Sequence, residues 1–357
     1  MRLGYVGSTT AHSHSLDWWA RNGQDPDRAL HLVRTWAWSP WLQECQQRLG
    51  HALHECTPVP SRWKETAIVR VCGRHDSTYE LYHHAPLGAA AGVPPLVLEQ
   101  LVRPGPVDDA ALDPTERFLV GLTEQIDGGV ELSGVVAQWS DHLSPDQFVA
   151  LYLQIGYWGC NARLANAVRL ENEPWMNPAA VRPIDPGPKR PLLAPAQLDP
   201  IGSFGVPALE SLPERSTAWL ARWAEPDDAL VRLWSWVPDV QVANQREWAC
   251  LTGDDIELAR PLRTAAARLA IGQRRYLSEL IDASAAWDRS PIDAADAAAL
   301  EAFVEQWLAG TGVSDDVFDR AQRRFGRRGV VEIQLLVGFL RIQATLAELA
   351  GLAFGTD

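Results

Sequence analysis

Two carboxylates and one imidazole near the start of the chain have the types and spacing for proton transfer. Glu80 and His84 are four residues apart, so on a helix their side chains share one face, and Ser77 stands one turn before Glu80 on that face. Glu65 lies on the preceding apolar segment, which must fold back across the first to bring its carboxyl near. A carboxylate beside an imidazole pulls the two pKa values apart, the histidine upward and the carboxyl downward. Such a pair takes a proton at one atom and returns it at another. That suits decarboxylation, isomerisation or lactone chemistry of a small acid, in which a carbanion or enolate has to be stabilised. Tyr79 adjoins the pair, and Cys72 follows Glu65 by two helical turns and lines the same face.

Each of these residues also has a structural reading. Ser77-Thr78-Tyr79-Glu80 is a helix capping box, with Ser77 as N-cap and Glu80 reaching back. At a helix N-terminus the dipole would keep Glu80 ionised, making it a base or an anchor. Glu65 reads equally as a surface partner of Lys64 or Arg62, His84 as a hydrogen-bonded core histidine, Cys72 as a small buried hydrophobe and Tyr79 as packing. His83, pointing elsewhere on the helix, reads as a core histidine. Adjacent helical residues diverge by about 100°, so His83 and His84 do not share one ion, and no metal is assigned. His12-Ser13-His14 has ligand spacing only in an extended segment.

The elements that must position these groups are helices. Helical apolar spacing covers 65–72, 79–91, 114–127, 134–142, 145–170, 260–281, 294–309, 314–325 and 329–351. Asp113-Pro114 and Ser144-Pro145 are start signals. Strand-like alternation is nearly absent, so the expected fold is all-α.

The chain also repeats itself. Leu32-Val33-Arg34-Thr35-Trp36-Ala37-Trp38-Ser39-Pro40 matches Leu230-Val231-Arg232-Leu233-Trp234-Ser235-Trp236-Val237-Pro238 at Leu, Val, Arg, both Trp and Pro. Val149 to Tyr157 matches Val331 to Phe339, each an apolar helix with a glycine before an aromatic. A glycine inside a helix costs about 1 kcal/mol, so its recurrence points to close helix packing. Between the copies, 173–205 carries eight prolines and reads as a non-helical connector, with Trp175 and Met176 able to pin it. The expected organisation is a domain over 1–172, a Pro-rich linker over 173–215 and a second domain over 216–357.

On these residues the chain resembles the carboxymuconolactone decarboxylase and AhpD-like alkylhydroperoxidase superfamily. The likeness rests on Glu65, then Tyr79-Glu80-Leu81-Tyr82-His83-His84, then Ala85 to Gly92, and later the Ile155-Gly156-Tyr157 helix. It runs over about 30–172, with the second copy matching in outline. In the thiol peroxidase branch the site is Cys-x-x-Cys-x-x-x-His with an upstream Glu. Here Ser77 and Glu80 stand at the two Cys positions, His84 at the His and Glu65 at the Glu. With both thiols replaced, the resemblance implies the decarboxylase-type branch: two tandem helical-bundle domains, no metal or organic cofactor, and a lyase or isomerase-like site of Glu65, Tyr79, Glu80 and His84. Ser77, Cys72, Trp36 and Arg34 are assigned to substrate; a substrate carboxylate would be held by Arg34, Arg70 or Arg163, between which the sequence does not choose. Trp36, Trp38, Trp63 and Trp158 would give the pocket an apolar wall. In the second copy Thr264 replaces Glu65 and Ala283 replaces His84, with Tyr276, Ser278 and Glu279 between, so that half is expected to pack rather than react. Assembly as a homo-oligomer is implied. The alternatives are a fold relative that binds a ligand or partner without turnover, and a residual peroxidase using Cys72.

Composition limits the partners. Lys plus Arg is 32 against 45 Asp plus Glu, a net charge of −13, which repels phosphate backbones and anionic membranes. The densest basic run, Arg323, Arg324, Arg327 and Arg328, reads as a solvated helix face. No apolar stretch is long enough to span a bilayer and no signal-peptide core is present. Five cysteines at wide spacing, without a Cys-x-x-Cys pair, fit reduced thiols and a cytoplasmic setting. The expected partner is a small-molecule substrate.

Overall fold

The structure is a computed structural model; it describes residues 1–108, 112–128, 139–176, 233–272, 281–282, 287–310 and 312–349. Among these residues there is no strand, and the chain forms twelve α-helices and one short 3-10 turn, Trp139–Asp141. In order they are α1 (Ser13–Arg21), α2 (His31–Trp36), α3 (Pro40–Glu55), α4 (Ser61–Arg74), α5 (Thr78–Ala90), α6 (Pro95–Leu101), α7 (Pro114–Gly128), α8 (Pro145–Val168), α9 (Pro238–Thr252), α10 (Arg260–Ile271), α11 (Ala294–Ala309) and α12 (Asp315–Leu349). None of the described helices is long and apolar enough to cross a membrane.

Proline at the first turn starts α3, α6, α8, α9 and α10, where its missing N–H would be unsatisfied in any case. At α8 a complete capping box adds to this, with Ser144 as N-cap and Gln147 reaching back to its backbone. Helix α8 is apolar on nearly every face, as a helix surrounded by others must be. Helix α4 is buried without interruption from Lys64 to Gly73 and packs against α5, α6, α7 and α8.

Across the middle of the molecule α3 packs on α9 and α8 on α12. The second crossing is reciprocal. A Cβ added at Gly156 of α8 would meet the Ile342 side chain at 2.5 Å, and one at Gly338 of α12 would meet Cys160 Sγ at 2.5 Å. In each helix the residue four beyond the glycine therefore covers the glycine of the other, an i-to-j, j-to-i relation of the kind a two-fold axis produces. The repeated glycines are sites of close helix approach, as their spacing suggested.

Several element boundaries differ from the sequence reading. Helix α10 stops at Ile271, before Gly272 at φ +57°, and 273–280 lie outside the described residues. The two segments expected over 314–325 and 329–351 run on through a break at Gly326 (φ +70°). Of 134–142, the described part is 139–142, the 3-10 turn and the His142 that follows it. Helices α1, α2, α3, α6 and α9 were not among the expected spans; α2 and α6 are short, and α1 and α3 carry polar side chains through much of their apolar pattern. Residues 177–215, Leu230 to Arg232, and Tyr276, Ser278, Glu279 and Ala283 lie outside the described residues. Within the described part of the connector, Tyr82 donates to the Met176 carbonyl at 2.7 Å and Trp175 packs edge-on against His31.

Candidate functional site

Four helices of the N-terminal half converge on the Glu65 carboxyl. Helix α4 supplies Glu65, α5 supplies Glu80 and His84, α3 supplies His54 and α8 supplies Trp158. Gly88, one turn after His84, lets α5 lie against α4: a Cβ there would stand 3.7 Å from the Glu65 Cβ. The fold-back expected of the Glu65 segment is what the chain does.

Glu65 is 1% exposed, and each of its oxygens meets an imidazole. Oε1 is 2.8 Å from His54 Nε2 and Oε2 is 3.0 Å from His84 Nδ1. The other nitrogen of each ring fixes its proton count. Trp158 Nε1–H lies 2.7 Å from His84 Nε2; an indole N–H only donates, so Nε2 is the acceptor and the His84 proton sits on Nδ1, facing Glu65. His54 Nδ1 lies 2.8 Å from Glu55 Oε1, so both of its nitrogens face carboxylates and the ring is an imidazolium.

The electrostatics follow. Burial would raise the Glu65 carboxyl, but His84 and His54 outweigh it and hold it at about 2. Burial lowers His84, and Glu65 offsets only part of that, which leaves a neutral ring. Burial also opposes a charge on His54, yet the bonds and charges of Glu65 and Glu55 carry it upward. The expected upward shift of the histidine thus falls on His54, while for His84 desolvation wins.

Glu80 stands beside this group, its Oε2 3.9 Å from His84 Nε2. It is buried, and its Oε1 has no hydrogen-bond partner among the described residues. Burial, with the negative charge of Glu173, pushes its carboxyl up to about 8. This corrects the expectation of an ionised Glu80: it stands in the first turn of α5, but burial and the Glu173 charge favour the protonated carboxyl. The capping box is absent as well. Ser77 is the N-cap residue of α5, yet its hydroxyl makes no cap bond and, buried, has no partner among the described residues.

Other assigned residues go elsewhere. The Tyr79 hydroxyl donates to Glu173 Oε1 at 2.7 Å and accepts from the Leu32 N–H, which makes it a strut rather than a neighbour of His84. His83 Nε2 lies 2.9 Å from Glu173 Oε2, and the His31 N–H donates to Glu173 Oε1. Tyr79 and His83 thus share a helix face turned away from that of Glu80 and His84. Arg34 bonds the carbonyls of Val6 and Asp27 and lies over Tyr5, which corrects its assignment as a substrate anchor. Arg70 pairs with Glu124, and Arg163 with Asp127 at 2.8 Å. Trp36 is core, its indole N–H without a partner among the described residues. Cys72 is fully buried near Glu80 and Glu65, and burial drives its thiol well above the ordinary value, so it is held as an unreactive thiol. The basic run lies on α12, where Arg324 pairs with Asp296 and Arg328 with Glu257 and Glu332.

His54, Glu55 and Glu173 were not singled out from the sequence. Donor atoms of His54, Glu65 and His84 lie within 4.8 Å of one another, a set that could hold a metal ion. His12 does not pair with His14 for that purpose: its Nδ1 accepts from the His14 N–H, while the His14 ring goes to Glu44. Thr264, the residue expected to replace Glu65 in the second copy, is buried and donates to the Arg260 carbonyl.

No model of a known protein family matches the chain, and no curated protein matches it.

Proposed function

We propose that this chain is a proton-transfer enzyme of the carboxymuconolactone decarboxylase type, acting without a cofactor on a small organic acid, lactone or related metabolite. The observation that carries this reading is the fixed tautomer of His84. Glu65 holds the Nδ1 proton, so the basic lone pair is on Nε2, beside the Glu80 carboxyl. A carboxylate–imidazole dyad so oriented suits a general base. In the proposed step a substrate displaces the Trp158 N–H, and a C–H bond next to its carbonyl breaks. The proton passes to Nε2 while the electron pair becomes an enolate. Return of the proton to another carbon gives an isomer. In a decarboxylation the C–C bond to the carboxylate breaks in place of the C–H bond: CO2 leaves, the electron pair of that bond becomes the enolate, and a solvent proton carried on Nε2 adds to the carbon.

In this reading the chain is two tandem AhpD-like bundles joined by a Pro-rich connector. The first carries the site. The second, with Thr264 in place of Glu65, acts as a built-in partner subunit. The reciprocal covering of Gly156 and Gly338 supports that relation. Further self-assembly and a cytoplasmic setting belong to the same proposal.

The test is proton exchange. Full-length protein is incubated in D2O with a panel of small keto acids, unsaturated acids and lactones, and deuterium at carbon is followed by NMR. Exchange that disappears in His84→Gln and Glu65→Gln, both folded by circular dichroism, is the expected result. Exchange unchanged in both variants overturns the reading. A second reading, ligand binding without turnover, is favoured by one observation: the Trp158 N–H already occupies the His84 lone pair. Saturable binding of a panel member with no exchange would establish it.

A further inference from the structure

A carboxylate with an imidazole on each oxygen is also a ligand set. His54 Nε2 and His84 Nδ1 both aim at the Glu65 carboxyl, and all three donor atoms lie within 4.8 Å of one another. We propose that His54, Glu65 and His84 form a binding site for a borderline first-row divalent cation, with Zn2+ as its representative, and that the ion and the catalytic proton exclude one another. The inference shares residues with the proton-transfer reading and adds a regulatory occupant to it.

The chemistry of the set fits. Two imidazole nitrogens and one carboxylate oxygen, with further positions left open, are what Zn2+ and its neighbours take. In a tetrahedral site with bonds of about 2.0–2.1 Å, donor atoms sit roughly 3.3 Å apart, so the groups need close by at most about 1.5 Å. The ion would replace the protons that now bridge His54 and His84 to Glu65. A way in exists, because the side chains of His54 and His84 keep 16% and 10% of their surface exposed. The surrounding charge favours a cation: Glu55 and Glu65 face the single Lys64, whose ammonium is tied to the His54 carbonyl.

Two features outside the triad point to the same occupant. Glu55 receives the far nitrogen of His54 at 2.8 Å, the carboxylate–histidine arrangement that orients metal-bound imidazoles. The second is the orphaned Glu80. With an ion on Nδ1, a neutral His84 must carry its proton on Nε2, where it can no longer accept from Trp158 and needs an acceptor of its own. The Glu80 carboxyl, 3.9 Å away, supplies one; it is 3% exposed, and its other oxygen has no partner among the described residues. The same proton shift removes the lone pair proposed to act as base, so the metal-loaded site is silent in proton transfer.

The experiment uses the full chain, freed of metal by chelation and dialysis. Titration with Co2+ is followed by its visible d–d absorption, and Zn2+ then displaces the Co2+ in competition. One Co2+ per chain is expected, in a low-symmetry site. His54→Gln and His84→Gln should each weaken binding by more than about 100-fold, and Glu55→Gln by about 10-fold. His12→Ala and His14→Ala, which remove the N-terminal histidines, should leave binding unchanged. His54 is half-buried, so His54→Gln keeps the comparison usable if His84→Gln unfolds. Absence of any Co2+ band, or a band that persists undiminished in His54→Gln, overturns the metal site whatever the exchange assay shows. Exchange in metal-free protein that Zn2+ suppresses supports mutual exclusion, and exchange unaffected at saturating Zn2+ overturns it. Absence of exchange alongside a normal Co2+ titration overturns the proton-transfer reading alone.

Discussion

Glu65 and Glu332 are both buried carboxyls, one in each half of the chain, and they differ in who holds them. Glu332, fully buried on α12, accepts from the backbone N–H groups of Glu257 and Leu258, from the Ser39 hydroxyl and from Arg328. Amides and a guanidinium do not give up protons near neutral pH, so this cluster is a staple joining α12 to the loop before α10 and to Ser39 ahead of α3. Glu65 is held by two imidazoles, which do exchange protons and also take metals. Burial alone therefore does not separate scaffold from site. The identity of the donors does.

The contrast can be broken most sharply at Glu65. Glu65→Gln should lower proton exchange by about 10²–10⁴-fold, the usual worth of a positioned acid–base group, while chemical denaturation still shows a cooperative fold. Glu332→Gln should do the reverse. It should cost about 2 kcal/mol in urea unfolding, by removing one of the two carboxylates that pair with Arg328 and weakening acceptance from two amides, and leave exchange per folded molecule unchanged. If Glu332→Gln instead abolishes exchange at constant stability, the distinction fails.

A third carboxyl sharpens the comparison. Burial opposes ionisation of Glu173, but His83, Tyr79 and the His31 N–H hold it at about 2, against 4.5 for a free glutamate. Because the folded value is depressed, its contribution of about 2 kcal/mol is present in full above about pH 5 and fades as the pH falls toward 2. Glu173→Gln should flatten the acid limb of a stability–pH profile measured by thermal unfolding, and an unchanged limb would remove Glu173 from the account. The smallest effect is expected at Trp158. Trp158→Phe deletes the N–H that occupies His84 Nε2, should cost about 1 kcal/mol in stability, and should keep or raise the exchange rate. A fall in exchange beyond the stability loss would make the indole N–H part of the chemistry.

Much of this arrangement was legible in the sequence, and the gaps have physical causes. The all-helical class followed from apolar periodicity, and the meeting of Glu65 with His84 followed from family spacing and helix geometry. Tyr79 was misplaced although the same i, i+4 rule pairs it with His83, one face around from Glu80 and His84. Its partner, Glu173, lies far along the chain and is brought in by packing alone. His54 escaped notice because α3 is rich in Gln and Glu and its apolar stripe is narrow. The charge of Glu80 was misjudged because a capping pattern reveals the dipole but not the loss of water around the side chain. The resemblance to a family with repeated bundles remains a proposal, carried by motif spacing and by one reciprocal helix crossing.

That crossing has a mechanical consequence. Ile342 seated on Gly156 and Cys160 seated on Gly338 are two pegs in two sockets, about one helical turn apart. A single peg lets two rods swivel; a pair blocks both swivelling and sliding. With α3 and α8 both packed into the seam between the halves, α5 is the helix left to tilt against α4 when a molecule reaches the imidazoles.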